Sequence, residues 1–314
     1  MKIGITGANG LVGFHLIKSL MNEDYSLKIL IRNDKKNFEE NSKLKIYKFD
    51  LTNLSLDFTD FLSNLDILIH CAAEIKDEKK MARLHIEGTQ NLINQSLKHI
   101  SIKHFIYLSS VGVYGFPSKG DIFESYPLNY TNEYERTKLE GEYIVRNTLK
   151  GRNIKYTILR PGPVIYRKMK NNYLLSLIKY IDEGKFFFIG NQNTIFNYID
   201  ISNLVDALKM IVERDIHNNE IFNLCDQVSL KYLVLNVKKY TGKNNRTFYL
   251  PYFIASILCL IGSLHPRFPL TFSRLKVLTN QASFKDSKIQ KTLNFKKKKF
   301  FEETISDFMS EYSN

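Results

Sequence analysis

Cysteine is scarce in this 314-residue chain: Cys71, Cys225 and Cys259 are odd in number and far apart. They cannot form a disulfide framework or a CxxC metal knuckle, so a reducing, cytoplasmic setting and no metal site are expected. Long apolar runs are lacking as well. The longest, residues 253–264, is broken by Ser256 and Gly262 and falls well short of the roughly 20 residues that cross a bilayer. It reads as a buried or surface-lying helix, with no membrane span. Repeats and low-complexity linkers are missing, and no secretory leader is expected, because Met1-Lys2-Ile3-Gly4 runs straight into a first strand. With 44% hydrophobic and 25% charged residues, the composition excludes collagen-like, mucin-like and disordered classes. At about 150 residues per domain, the length suggests one large domain or a large domain with a smaller partner.

Acidic residues are outnumbered, giving a net charge of +13. The lysines are scattered among Asn and Ile along the whole chain, which reads as composition bias; nucleic acid is not expected as a partner. Only Lys296-Lys297-Lys298-Lys299, followed by Phe300 and Phe301, is a true run. It reads chiefly as a solvated face, with a membrane-surface or polyanion contact as the lesser reading. A basic field would also draw in a phosphate-bearing cofactor or substrate.

Short β-branched runs at residues 2–6, 27–31, 44–49, 67–70, 105–109 and 156–159 alternate with helical patterns at 11–21, 79–98 and 133–149. The runs are nearly continuous in apolar residues, as in a parallel sheet buried on both faces. The expected fold is therefore α/β, a doubly wound parallel sheet. Beyond about residue 160 the rhythm changes to shorter elements, one more strand at 221–224 and a Phe- and Lys-rich helical end. That part is expected to fold back over the ends of the first strands.

Thr6-Gly7-Ala8-Asn9-Gly10-Leu11-Val12-Gly13 falls where the first strand turns into the first helix. Gly7, Gly10 and Gly13 would permit the tight turn, the approach of backbone N–H groups to a pyrophosphate, and the packing of helix on strand. Asn9, Leu11 and Val12 complete that candidate dinucleotide site. The second strand ends Ile31-Arg32-Asn33, without the acid that would bind an NAD ribose, and Lys35-Lys36 follow. Arg32 would suit a 2′-phosphate, so NADP is the expected cofactor and NAD the alternative. Ser109 and Ser110 end a mid-sheet strand, and Tyr134-Glu135-Arg136-Thr137-Lys138 opens a helix. Residues four apart share a helix face, so Tyr134 and Lys138 can point into one site, where an ammonium would bring a phenol with pKa of about 10 toward working pH.

With these motifs together, the chain resembles the extended short-chain dehydrogenase/reductases, or NAD-dependent epimerase/dehydratases. That resemblance implies a Rossmann-like domain over residues 1–160 and 195–225. It also implies a smaller, discontinuous substrate lobe over 161–194 and 226–314. It places Asp50 and Leu51 near the adenine. Ala72 and Ala73 of His70-Cys71-Ala72-Ala73 would contact the cofactor, as would Pro161 and Val164 of Arg160-Pro161-Gly162-Pro163-Val164. Ser110, Tyr134 and Lys138 take the catalytic positions, Tyr134 and Lys138 also touching cofactor; Ser110, Tyr134, Asn172 and Tyr198 would hold substrate. The sequence departs from the family pattern in four places. His85 replaces a helix Asn, and Phe196-Asn197-Tyr198 lacks an Arg that often clamps the diphosphate of a nucleotide sugar. Val111-Gly112 stand where dehydratases carry Asp-Glu, and the usual Pro is missing from Leu293-Asn294-Phe295-Lys296.

The resemblance implies hydride transfer at a secondary alcohol or ketone of a nucleotide sugar, by a 4-ketoreductase or 4-epimerase of surface-polysaccharide type, in a chain that can form a homodimer. A reductase of an apolar or small carbonyl substrate, of the flavonol-reductase or 3β-hydroxysteroid type, is the alternative. A non-catalytic NADP sensor is a third reading, opposed by the intact Ser110, Tyr134 and Lys138.

Overall fold

Strand-forming and helix-forming runs alternate from the first residue, and the computed structural model describes residues 1–33, 38–168, 173–190, 193–214, 218–242, 247–262 and 270–312. The chain opens with β1 (Lys2–Thr6), α1 (Leu11–Leu20), β2 (Ser26–Ile31), β3 (Leu44–Lys48), α2 (Thr59–Leu62) and β4 (Ile67–His70). It continues through α3 (Glu78–Ala82), a π-helical turn (Arg83–Gly88), α4 (Thr89–Ser96), β5 (His104–Leu108), a 3-10 turn (Val111–Val113) and β6 (Lys119–Ile122). Then come α5 (Glu133–Leu149), β7 (Lys155–Pro161), β8 (Val164–Ile165), α6 (Tyr173–Asp182), β9 (Phe187–Ile189), β10 (Ile195–Asp200) and α7 (Ile201–Glu213). The remainder is β11 (Glu220–Leu224), β12 (Asp226–Ser229), α8 (Leu230–Thr241), β13 (Phe248–Leu250), α9 (Tyr252–Gly262), α10 (Phe272–Leu278), β14 (Gln281–Phe284), α11 (Ser287–Leu293) and α12 (Phe301–Tyr312).

Seven strands pair in the order β3-β2-β1-β4-β5-β7-β11, every pair parallel. This is the expected doubly wound α/β sheet, with the strand order reversing between β1 and β4. In such sheets that reversal opens a crevice at the carboxyl ends of the strands. Alternate residues bury on opposite faces: Ile29, Ile69 and Ile106 pack with α1 and α7, while Leu30, Leu68 and Phe105 join the cluster of α2, α4 and α5.

The helix expected over 79–98 is divided by the π-helical turn. The widened turn lets Gly88 lie against Leu51, where a Cβ would stand 3.1 Å from the Leu51 carbonyl, and it carries His85 inward. π-Turns of this kind cluster at functional sites. Above the strand ends, β10 pairs with β8 and β12, and α6, α8 and α12 share a separate apolar core.

The lysine run is solvated only in part: Lys296 and Lys298 are exposed, whereas Lys297 and Lys299 are drawn inward. Lys297 meets both Asp226 and Asp286, Lys298 lies 2.9 Å from Asp206, and Lys299 reaches Asp200 at 3.0 Å and Asp307 at 2.7 Å. Five carboxylates on β10, β12, α7, α12 and the α11 cap thus fasten the segment before α12. Lys35, Lys36 and Asn172 lie outside the described residues.

Candidate active site

A cleft of about 1030 Å³ runs along the carboxyl ends of β1, β4, β5 and β7, walled on the far side by the second lobe. Its floor begins at the glycine turn. Gly7 sits in the left-handed region at φ 71°, and a Cβ there would stand 2.5 Å from the Ala72 amide nitrogen. Gly13 is buried behind the cleft wall, where a Cβ would come within 2.3 Å of the Gly7 carbonyl and push α1 off the turn. Gly10 faces the cleft; a Cβ would meet only the Gly7 oxygen, at 3.1 Å. No side chain caps α1 and its first turn carries no acid, so its amides and dipole are free to receive an anion. A pyrophosphate fits this cradle.

The other proposed cofactor residues are strung along the same cleft: Asn9, Leu11, Val12, Arg32, Asp50, Leu51, Ala72, Ala73, Pro161 and Val164 all line it. Asn9 donates to the Asn33 carbonyl at 3.2 Å, tying the glycine turn to the end of β2. Asp50 is folded back onto Thr52, accepting from its amide at 2.9 Å and its hydroxyl at 2.8 Å. Arg32 is exposed at the rim.

Ser110 and Tyr134 both line the cleft. Ser110 leaves β5 in extended conformation and accepts the Gly112 amide at 3.1 Å. Tyr134 is the second residue of α5, whose start is fixed by Asn132 accepting the Glu135 amide at 3.0 Å. Burial, and then the Glu135 carboxylate, push the Tyr134 phenol up to about 12. Lys138 does not act on it as expected. Its buried ammonium donates to the Leu108 carbonyl at 2.8 Å and lies 5.0 Å over the Tyr107 ring, behind the cleft lining, and burial brings it down to about 8.

Two groups explain why Tyr134 stays put. His85 Nε2 accepts the Glu74 amide at 2.9 Å, which leaves the proton on Nδ1, 2.9 Å from the Thr137 hydroxyl. Its ring stands edge-on to Tyr134 at 5.8 Å, so the replaced Asn position now braces the start of α5. Burial holds His85 neutral, down at about 2. Two turns beyond Tyr134, Glu142 accepts Arg160 Nε at 2.9 Å and Nη2 at 2.6 Å, and the Ser109 hydroxyl at 2.5 Å. Arg160 also donates to Tyr114, which donates to Asn223, so α5, β5, β7 and β11 are bonded together beneath the site. Glu142 was not singled out from the sequence, although its eight-residue spacing from Tyr134 marks the same helix face.

The substrate expectations fare differently. Tyr198 is turned away into the second lobe's core, stacked on Phe196 and edge-on to Phe301. Its neighbours Phe196 and Asn197 line the cleft instead, with Thr194, Asn280 and Phe284. Strand alternation turns Asn197 to the side of β10 opposite Tyr198, whereas Phe196, on Tyr198's own side, packs against the same core and still reaches the cleft nearer the start of the strand. Among the described residues no cluster of His, Cys, Asp or Glu could hold a metal ion, and no helix is long and apolar enough to cross a membrane.

These features define a dinucleotide-dependent enzyme of the doubly wound class. The pattern of the NAD dependent epimerase/dehydratase family matches residues 3–225, and the chain belongs to that family, whose members are oxidoreductase-type enzymes. It is similar to a UDP-glucose 4-epimerase of Lactobacillus helveticus, at 26% identity over 77% of this chain and 82% of that one. It is also similar to a sterol-4-alpha-carboxylate 3-dehydrogenase of Dictyostelium discoideum, at 22% identity over 74% of this chain and 73% of that protein. Among solved structures, UDP-glucuronic acid 4-epimerase from Bacillus cereus in complex with NAD shares the fold, with a TM-score of 0.76, 22% identity and full coverage of both chains.

Proposed function

We propose that the chain catalyses reversible hydride transfer at a secondary alcohol or ketone carbon of a nucleotide sugar, as a 4-ketoreductase or 4-epimerase of surface-polysaccharide type. The observation that carries this reading is the single cleft that joins the glycine turn, Ser110 and Tyr134 to a polar patch of Thr194, Asn197 and Asn280 on the second lobe. When bound, the nicotinamide cofactor supplies or accepts the hydride. Tyr134, protonated at neutral pH, gives its proton to the substrate oxygen in the reductive direction, while the Ser110 hydroxyl holds that oxygen. Lys138 fixes the end of β5 through the Leu108 carbonyl. Dehydration is disfavoured. Val111 and Gly112 offer no acid or base, and the nearest carboxylate, Glu135, is held by the Thr131 amide and hydroxyl at 2.6 and 2.8 Å.

Arg32 and the missing acid at the end of β2 favour NADP over NAD. A cytoplasmic enzyme, with its three cysteines free and buried, and a homodimer through a helix pair belong to the same proposal. The apolar lining of the cleft, including Ile75, Phe116, Ile195 and Phe196, supports a second reading: reduction of an apolar ketone, the class to which the sterol dehydrogenase relative points.

One panel separates the two. UDP- and dTDP-sugars, their 4-keto derivatives and apolar ketones are offered with NADPH or NADH, while products and melting temperature are followed. Stabilisation by, and turnover of, nucleotide sugars is expected, since a ligand at about 100 times its Kd contributes about 2.7 kcal/mol. Turnover of apolar ketones with no response to any nucleotide sugar would move the assignment to the second reading.

A further inference from the structure

Large apolar side chains crowd one uncovered face of the second lobe. On α9, Phe253, Ile257, Leu260 and Ile261 recur at helical spacing and are 64, 53, 64 and 59% exposed. The opposite side of the helix is ordinary core, with Ala255 and Cys259 buried against Leu270 and Leu275. Phe248 and Tyr252, at the entrance to the helix, are 73 and 55% exposed. A helix that is apolar on both sides yet covered on only one needs an apolar medium for the other.

The charge pattern says which medium. From residue 227 to residue 285 the sequence has no Asp or Glu and nine Lys or Arg, so nine of the thirteen net positive charges sit in under a fifth of the chain. Lys231, Lys239, Arg274 and Lys276 of this stretch are exposed. A second copy docked through this face would bring two acid-free basic stretches, residues 227–285 of each, together, which Coulomb repulsion opposes. A nucleic acid would meet the charge and leave Phe253 and Leu260 without apolar cover. An anionic lipid surface meets both needs: acyl chains for the apolar face and headgroup phosphates for the lysines and arginines. Crossing is ruled out for this element, since its 11 residues extend about 16 Å against a hydrocarbon core of about 30 Å.

We propose that α9 and β13 seat this chain on the surface of an anionic bilayer, with Phe253, Ile257, Leu260 and Ile261 immersed at headgroup depth. The docked helix packs on α10, whose Val277 lines the cleft, so a single helix links the lipid-facing element to the cleft wall. The proposal holds whichever substrate the cleft takes.

The test is flotation of the full chain with phosphatidylcholine vesicles, alone or containing about one third phosphatidylglycerol. Binding is expected at least about tenfold stronger to the anionic vesicles, weakening as salt rises from about 0.05 to 0.5 M. The double variant Phe253→Ser, Leu260→Ser should lower partitioning by about tenfold or more. Its melting temperature should not fall, because both side chains are exposed. Ile100→Ser, 91% exposed in the turn before β5, should partition like the unaltered chain. Equal partitioning of the double variant and the unaltered chain, or no binding to anionic vesicles at low salt, would overturn the proposal. So would a dimer in solution that the double variant splits, which would give the face to a second copy.

Discussion

Beneath α5 the molecule buries charge, and around α9 it exposes hydrocarbon. Glu142 and Arg160, 0 and 1% exposed in their side chains, are enclosed with their charges engaged by each other and by Ser109 and Tyr114, and only the Tyr107 hydroxyl beside them is left without a partner among the described residues. On α9 four large apolar residues face outward, and no carboxylate occurs within twenty residues on either side. Each arrangement is costly for an isolated folded chain, through desolvation in one case and wetted apolar surface in the other. The two regions differ in what offsets the cost. The first satisfies itself internally and so becomes rigid, which suits a helix that must aim Tyr134. The second is incomplete until something covers it, which suits a docking surface.

Removing the group that the rigid region exists to position should have the largest effect. Tyr134→Phe deletes only a hydroxyl, so folding and cofactor affinity should persist while turnover falls by about 10²- to 10⁴-fold. Steady-state rates beside a cofactor titration check this, and near-normal turnover would remove Tyr134 from the mechanism.

Breaking an ion pair in each region sharpens the contrast. Arg160→Leu strands the buried Glu142 carboxylate and should cost about 3–5 kcal/mol in denaturant unfolding. Lys297→Met strands Asp226 and Asp286 at a wetter place, with the lysine side chain 11% exposed, and should cost about 1–3 kcal/mol. Equal costs would mean that the lobe junction is as dry as the floor of the site.

Cofactor choice tests the rim rather than the floor. A charge-assisted contact from Arg32 to a 2′-phosphate is worth about 1.5–3 kcal/mol, so NADP should bind about ten- to a hundredfold tighter than NAD. Arg32→Asp should reverse the order, while equal affinities in the unaltered protein would return NAD and epimerisation to the lead.

Legibility in the sequence followed the same division. Strands 2–6 and 67–70 and helix 133–149 have the bounds expected, because burial on both sheet faces and a strong helix cap leave one periodicity each. Tyr134 and Ser110 were readable because their spacing is local to one helix and one strand end. Tyr198 was misjudged because its orientation depends on which side of β10 the second lobe packs, a long-range fact. The inward turn of Lys297 and Lys299 was missed for the same reason: their partners, Asp200, Asp226 and Asp286, are 11 to 99 residues away in the chain. The π-turn could not be read from periodicity, since one extra residue per turn is invisible against a 3.6 repeat.

Acid should loosen the α5 region first. Burial holds His70, His85 and His104 neutral, at about 3, 2 and 4, against an ordinary 6.5. Below about pH 6.5 the unfolded chain therefore binds protons that the folded chain refuses, and stability present above that pH is lost as pH falls. Melting temperature should drop between pH 7 and pH 5. His104→Gln, which keeps a partner for Thr157 in place of the 2.8 Å contact, should flatten part of that slope.

The smallest effect probes the charge next to Tyr134 in the chain. Glu135 lines the cleft beside Tyr134 and is the second cause, after burial, of the raised phenol. In the oxidative direction Tyr134 must act as a base, so the rate should climb with pH toward the phenol's pKa. Glu135→Gln removes a negative charge that opposes phenolate formation, and the alkaline limb should move to lower pH by less than about one unit. Thr131 loses a charged acceptor at the same time, so the start of α5 loosens slightly and KM should rise a little. The discriminating quantity is the position of the limb, not its height. A limb that stays in place while the rate falls would mean that Glu135 only caps the helix, and that burial alone sets the phenol.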